Sequence, residues 1–315
     1  MVDGDLGDLQ LSNVETLDLT MSNSASGTAV ATTIGLAQYD GDVFLDVNTL
    51  DEDVTIEDVG ADTFVGLEGD VTNDNTVTVE TQTGVTSLNM SLGNDGVDGD
   101  DASDDIAADN TNDPIAGDDG SDGVGFNNDG ANNQGTIEIN SGVTDASITV
   151  EGAGGSAGGG ANGGPDGKRG TDQSSTINQL TGTGLTSLTL TLSNSAGMTV
   201  NSLNTEDLET LTLGGGDDPA DNTTTILDDS NSDTGSLSTV DASSLGTGLQ
   251  LGNSSGAVEL ASGATVTGSS NADAIWWNVN NQAGATLNAG SGSDTLGLLG
   301  SQNIGGGVID LSADD

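Results

Sequence analysis

Along the last quarter of the chain one aliphatic residue returns at a narrow spacing. The series Val240, Leu249, Val258, Val266, Ile275, Leu287, Leu296, Ile304 advances in steps of 9, 9, 8, 9, 12, 9 and 8. An amphipathic helix would need an apolar face repeating about every 3.6 residues. Gly, Asn, Asp or Ser interrupts every run here before such a window can form. A short strand and a tight turn about every nine residues is instead half a coil of a narrow β-solenoid, which buries its apolar face only by stacking coil on coil. A continuous solenoid over residues 237 to 311, with no helix longer than two turns, is the first expectation.

A second pattern extends the strand grammar toward the N-terminus. Five segments share the form apolar-x-x-apolar-x-apolar: VETLDL (14 to 19), VTSLNM (85 to 90), LTSLTL (185 to 190), LETLTL (208 to 213) and LSTVDA (237 to 242). Their last positions alternate as a half-buried strand does. Leu, Ile, Val and Phe number only 68 of 315 residues, just above the roughly 20% below which a highly charged chain stays disordered. Stacked aliphatic ladders make so sparse a supply sufficient, because no single large centre has to be filled. The expected class is therefore all-β, a β-solenoid carrying acidic and Gly-rich loop insertions.

Three polar stretches interrupt the pattern. Residues 93 to 135 hold 12 Asp between Asp95 and Asp129, residues 152 to 175 are Gly-rich and contain Lys168 and Arg169, and residues 214 to 236 repeat the Asp, Asn and Thr theme. In a solenoid, insertions map to loops on one face; disordered linkers between separate blocks are the alternative. The expected organisation is a β-rich solenoid block at 1–92, an acidic insertion at 93–136, a second solenoid block at 137–236, and a regular nonapeptide-period solenoid at 237–315.

Charge and missing residue types exclude several functions. The chain carries 51 Asp and Glu against two Lys and Arg, a formal charge of -49, with no His and no Cys. Nucleic acid and anionic membrane surfaces are excluded as partners by sign. Catalytic triads, HExxH zinc sites and Cys-based centres lack their residues. No apolar run is long enough to cross a bilayer as a helix, so no membrane span is expected. Residues 1 to 20 have neither a basic start nor an apolar h-region, so export would use another route, or the sequence is a mature or truncated form.

The motif with the most definite chemistry is Gly290-Ser-Gly292-Ser-Asp294-Thr-Leu296, the G-x-G-x-D-x-U core of the calcium-binding nonapeptide, with Ala289 where its first Gly falls. Gly permits the left-handed turn that aims carbonyls inward, Asp supplies a carboxylate, and the aliphatic residue anchors the next strand. Gly268-Ser-Ser-Asn271-Ala-Asp273-Ala-Ile275, a little more than two nonapeptides earlier, is a degenerate copy with Asn271 in place of a Gly. Gly290, Gly292, Asp294, Asn271 and Asp273 are thus the candidate Ca²⁺ residues. The competing reading of any such Asp is a solvated turn former.

At these motifs the chain resembles the RTX-type β-solenoids of bacterial surface-layer proteins and large secreted adhesins, where [V/L]-x-T-L-x-[L/V] strands precede a G-x-x-[N/G]-x-D-x-I turn. The strand resemblance runs from about Val14 to the end, the turn motif only from 268 to 297. The resemblance implies a parallel β-roll or β-helix, calcium between stacked turns, secretion without an N-terminal signal, and assembly on a cell surface. A tandem array of perfect nonapeptides is missing.

Other features are less specific. Asn89-Met-Ser91, Asn222-Thr-Thr224 and Asn253-Ser-Ser255 match the glycosylation sequon, as chance allows in a chain so rich in Asn, Ser and Thr. Trp276-Trp277 is a packing cap at the end of the solenoid, a platform for stacking sugars or an interface anchor. Lys168-Arg169 pairs with a carboxylate patch of another copy or is simply solvated. The expected function is an extracellular, cell-surface structural protein, a calcium-stiffened solenoid forming homo-oligomeric layers or filaments. The alternative is an adhesin or fibre segment that binds glycan or a cell surface. An enzyme is not expected, since a carboxylate-only glycoside hydrolase would need an aromatic-lined groove.

Overall fold

The structure, a computed structural model, describes residues 15–20, 32–37, 39, 41–46, 53–68, 75–93, 133–151, 175–193, 197–216, 223–227, 236–278, 284–299 and 308–310. They form 22 strands and no helix. Sheet I runs in the order β1 (Thr16–Thr20), β3 (Asp42–Asp46), β5 (Phe64–Glu68), β7 (Ser87–Leu92), β9 (Asp145–Glu151), β11 (Ser187–Ser193), β14 (Thr210–Gly215), β16 (Thr239–Leu245), β18 (Thr265–Thr267), β20 (Thr286–Asn288), β22 (Val308–Asp310). Sheet II runs β2 (Thr32–Gly35), β4 (Val54–Val59), β6 (Thr76–Thr81), β8 (Asn133–Ile139), β10 (Ser175–Gly182), β12 (Met198–Val200), β15 (Thr223–Ile226), β17 (Gly248–Leu251), β19 (Ala274–Asn278), β21 (Thr295–Leu299), with β13 (Leu203–Asn204) also on β10. Neighbours in each sheet are parallel and one coil apart, for example Leu188 beside Leu211 and Leu211 beside Val240. The molecule is a parallel β-solenoid.

The core lies between the two sheets as aliphatic columns. On sheet I, Leu188, Leu211, Val240, Val266 and Leu287 stack in register, each with no exposed surface. On sheet II, Ile177, Val200, Ile226, Leu251 and Ile275 do the same, none more than 2% exposed. Each fully buried side chain of this kind contributes about 1.5–3 kcal/mol of transfer free energy. Outward positions carry β-favouring hydroxyls, as in the column Thr210, Thr239, Thr265, Thr286.

All five shared segments overlap sheet I strands: β1, β7, β11, β14 and β16. Their first apolar residue precedes the strand by two positions, and Leu185, Leu208 and Leu237 are completely buried at the corner; Val14 lies outside the described residues. Of the spaced series, Val240, Leu249, Val266, Ile275, Leu287 and Leu296 sit in strands β16 to β21. Val258 is buried but makes only an isolated bridge to Trp277, and Ile304 lies outside the described residues. A coil is longer than two nonapeptides and varies in length: Val240 pairs with Val266, Val266 with Leu287 and Leu287 with Ile309.

Both sheets pass the block boundaries expected from the sequence. β7 pairs with β9 and β6 with β8, so the coils before and after 93–132 stack directly on one another. β14 pairs with β16 in the same way. The polar stretch 214–236 contains a strand: β15 buries Thr224 and Ile226 completely. Three consecutive threonines hid it, because Thr suits both an exposed strand and a polar loop. The stretches 94–132, 152–174, 217–222 and 228–235, with Lys168 and Arg169 among them, lie outside the described residues.

Candidate functional site

The candidate calcium residues lie where sheet I passes to sheet II, in two consecutive turns. Residues 268–273 join β18 to β19, and residues 289–294 join β20 to β21. The register that pairs Ala274 with Thr295 and Ile275 with Leu296 continues back into the turns. Ser269 lies under Gly290, Asn271 under Gly292, and Asp273 next to Asp294. Both glycines have positive φ, +92° at Gly290 and +124° at Gly292. A Cβ on Gly290 would collide with the Ser269 carbonyl oxygen, and one on Gly292 would stand 2.6 Å from the Asn271 carbonyl carbon. The Gly-x-Gly spacing therefore serves close coil-on-coil approach as well as the left-handed turn.

The structure brings Asp273 and Asp294 together through main chain. Asp294 Oδ1 accepts the Asp273 N–H at 2.9 Å. Asp273 Oδ1 in turn accepts the Leu249 N–H of the preceding coil at 2.7 Å and the Ser269 hydroxyl at 2.7 Å. Asp273 Oδ2 accepts the Ser269 N–H at 2.7 Å. Asp273 is 2% exposed and Ser269 3%. Burial pushes the Asp273 carboxyl above the usual carboxylate range; the bonds from Leu249 and Ser269 oppose that shift, and the neighbouring Asp294 adds to it.

Asn271 faces the preceding coil too, its Nδ2 donating to the Gly246 carbonyl at 2.9 Å. The Ser291 hydroxyl donates to the Ser270 carbonyl at 3.2 Å, and Gly290 N–H to Asn288 Oδ1 at 3.1 Å. The motif did not single out Ser269, although its two bonds to Asp273 close the lower turn. Its signal is the Ser four residues before Asp, the spacing that lets a hydroxyl reach a following carboxylate. Among the described residues, no group of three or more acidic, His or Cys side chains is arranged to hold a metal ion.

The other sequence candidates separate. Trp277 points into the core at 1% exposed, bridged to the segment of Val258. Trp276 alternates to the outer face of sheet II and lies across Gly297 of the next coil, where any Cβ would collide with its indole. Asn253 closes its own turn, Oδ1 accepting the N–H groups of Ser255 at 2.8 Å and Gly256 at 3.0 Å. Asn89 is exposed on sheet I, and Asn222 lies outside the described residues. Among the described residues no helix is long and apolar enough to cross a membrane. No family model, curated protein or solved structure matches the chain.

Proposed function

We propose that this is an extracellular structural protein, a β-solenoid rod that assembles with copies of itself into a layer or filament at a cell surface. The observation that supports this reading most is the stack itself. Parallel strands pass without a break from β1 to β22 and from β2 to β21, and outer positions of sheet I stack short polar side chains, Thr239, Thr265 and Thr286 in one column and Asp241, Thr267 and Asn288 in another. A stack that repeats coil on coil suits periodic contact. The charge of -49 opposes it, since unscreened carboxylates repel over a Debye length, about 10 Å at 0.1 M salt. In this proposal Ca²⁺ bridges copies through acid-rich stretches such as 93–136, turning repulsion into shared coordination.

Light scattering and negative-stain microscopy test it in calcium, in EGTA, and in NaCl of equal ionic strength. Ordered assembly in calcium, reversed by EGTA and absent in NaCl, is the expected result. Equal assembly in NaCl would leave screening as the whole cause, and no assembly in any condition would end the structural reading. One observation favours the adhesin alternative: Trp276 is an outward-facing aromatic laid across a sheet, a geometry suited to stacking a sugar ring. Loss of glycan binding in Trp276→Ala, with the fold retained, would carry that alternative.

A further inference from the structure

We infer that Asp273 and Asp294 fasten consecutive coils as a metal-independent carboxylate ladder, each accepting a main-chain N–H from the coil before it. The resemblance to calcium-binding solenoids implies an ion between these turns, but Asp273 as arranged does not fit one, and among the described residues no third acidic side chain joins Asp273 and Asp294. Ca²⁺ takes about six to eight oxygen ligands. Around Asp273 the carboxylate meets three hydrogens, on Leu249 N, Ser269 N and Ser269 Oγ. A cation there would face the positive ends of those dipoles.

The turn carbonyls are engaged as well. Gly246 O accepts from the Asn271 amide and Ser270 O from the Ser291 hydroxyl, so two oxygens that could have turned toward an ion hold the next coil instead. Gly290 and Gly292 let the turns approach until a single Cβ would not fit, and an inserted ion would have to part them.

Position supports the same conclusion. Asp273 and Asp294 each stand one residue before a strand position in the Gln250, Ala274, Thr295 column, and the residue at that place one coil earlier is Leu249, fully buried. Thr224 pairs with Leu249 in the coil before that and is also fully buried. The column faces the interior. Hydrophobic contact holds it at Leu249, a buried Thr224 to Thr247 hydroxyl bond of 2.9 Å serves beside it, and carboxylates take over from Asp273 onward. The three donors around Asp273 offset part of the cost of burying its carboxylate, since hydrogen bonds to a charged acceptor contribute about 1.5–3 kcal/mol each.

The inference is independent of the assembly proposal, and hydrogen exchange on the full chain separates the two. The Leu249, Ser269 and Asp273 amides should show the same protection in EGTA as in excess calcium, within about threefold. Asp273→Asn should lower protection of Leu249 and Ser269 by about tenfold or more in both conditions, and Asp294→Asn should do so at Asp273, a tenfold change corresponding to about 1.4 kcal/mol. Protection that appears at these amides only with calcium, or a bound calcium ion lost on Asp273→Asn or Asp294→Asn, would overturn the ladder. If either variant fails to fold, the wild-type comparison between EGTA and calcium decides alone.

Discussion

Where sheet II passes to sheet I, the chain bends in four residues at Gln82–Val85, Asn140–Val143, Gly182–Leu185 and Thr205–Leu208. The last N–H of each bonds back to the first carbonyl at 3.0–3.5 Å. Where sheet I passes to sheet II, the connections range from the two residues between β16 and β17 to the forty between β7 and β8. The first kind of corner is closed by a local turn and an aliphatic anchor such as Leu185. The second, at the turns after β18 and β20, is closed by long-range bonds from Asp273 and Asp294 to the coil before. The local turn stands close to the sheet I strand, and longer chain can precede it, as in the thirteen residues between β17 and β18, where the Ala264 N–H still bonds back to the Ala261 carbonyl at 3.1 Å.

Three changes would sharpen this contrast. The largest effect is expected at the aliphatic anchor: Leu185→Ala empties a fully buried site and should cost about 2–5 kcal/mol in chemical unfolding. A loss below about 1 kcal/mol would mean that the local turn, not the anchor, holds that corner. Next comes Gly184→Ala in the same turn, where φ is +89° and a Cβ would stand 2.8 Å from the Ser141 carbonyl oxygen. A loss of about 1–3 kcal/mol is expected from the combined strain and contact, and a neutral result would show that this corner has slack between coils.

The smallest effect is a pH signature that belongs to the other corner alone. With its carboxyl raised above the ordinary range, Asp273 binds a proton more readily folded than unfolded. Its contribution to stability is complete below the unfolded value and is lost as pH rises through the folded one. As pH falls through the raised range toward the ordinary carboxylate value, the stability of wild type relative to Asp273→Asn should therefore grow, with a slope of at most about 1.4 kcal/mol per pH step of one. Leu185→Ala should show no such trend relative to wild type. A difference between wild type and Asp273→Asn that does not vary with pH would remove the burial argument for this carboxyl.

Much of the fold was legible in the primary structure, for a physical reason. A solenoid repeats one coil of two main strands, so an aliphatic position recurs in the sequence about once per strand, alternately for one sheet and the other. That recurrence picked out β16 to β21 from single residues such as Val240 and Ile275, and it placed the five shared segments in strands that turn out to form one sheet. It failed at β15, where Thr223 to Thr225 carry no alternation, and at Val258, whose spacing is right but whose segment makes only one bridge. At the candidate site, the pairing of Asp273 with Asp294 was legible because their separation in sequence is that of one coil, the same as between Ala274 and Thr295.

What the sequence determined, then, is the class of architecture, many of the aliphatic positions that enter the core and the classes of chemistry that a chain without His or Cys cannot perform. Only the tertiary structure decided what the motif's carboxylates face. An Asp after a Gly-rich turn looks the same in sequence whether it points to an ion, to water or to a main-chain N–H. The choice depends on Leu249 in the preceding coil, on the Ser269 side chain, and on how closely Gly290 and Gly292 let the coils approach. Those distances are set by the register of stacked coils, which exists only once the chain has folded.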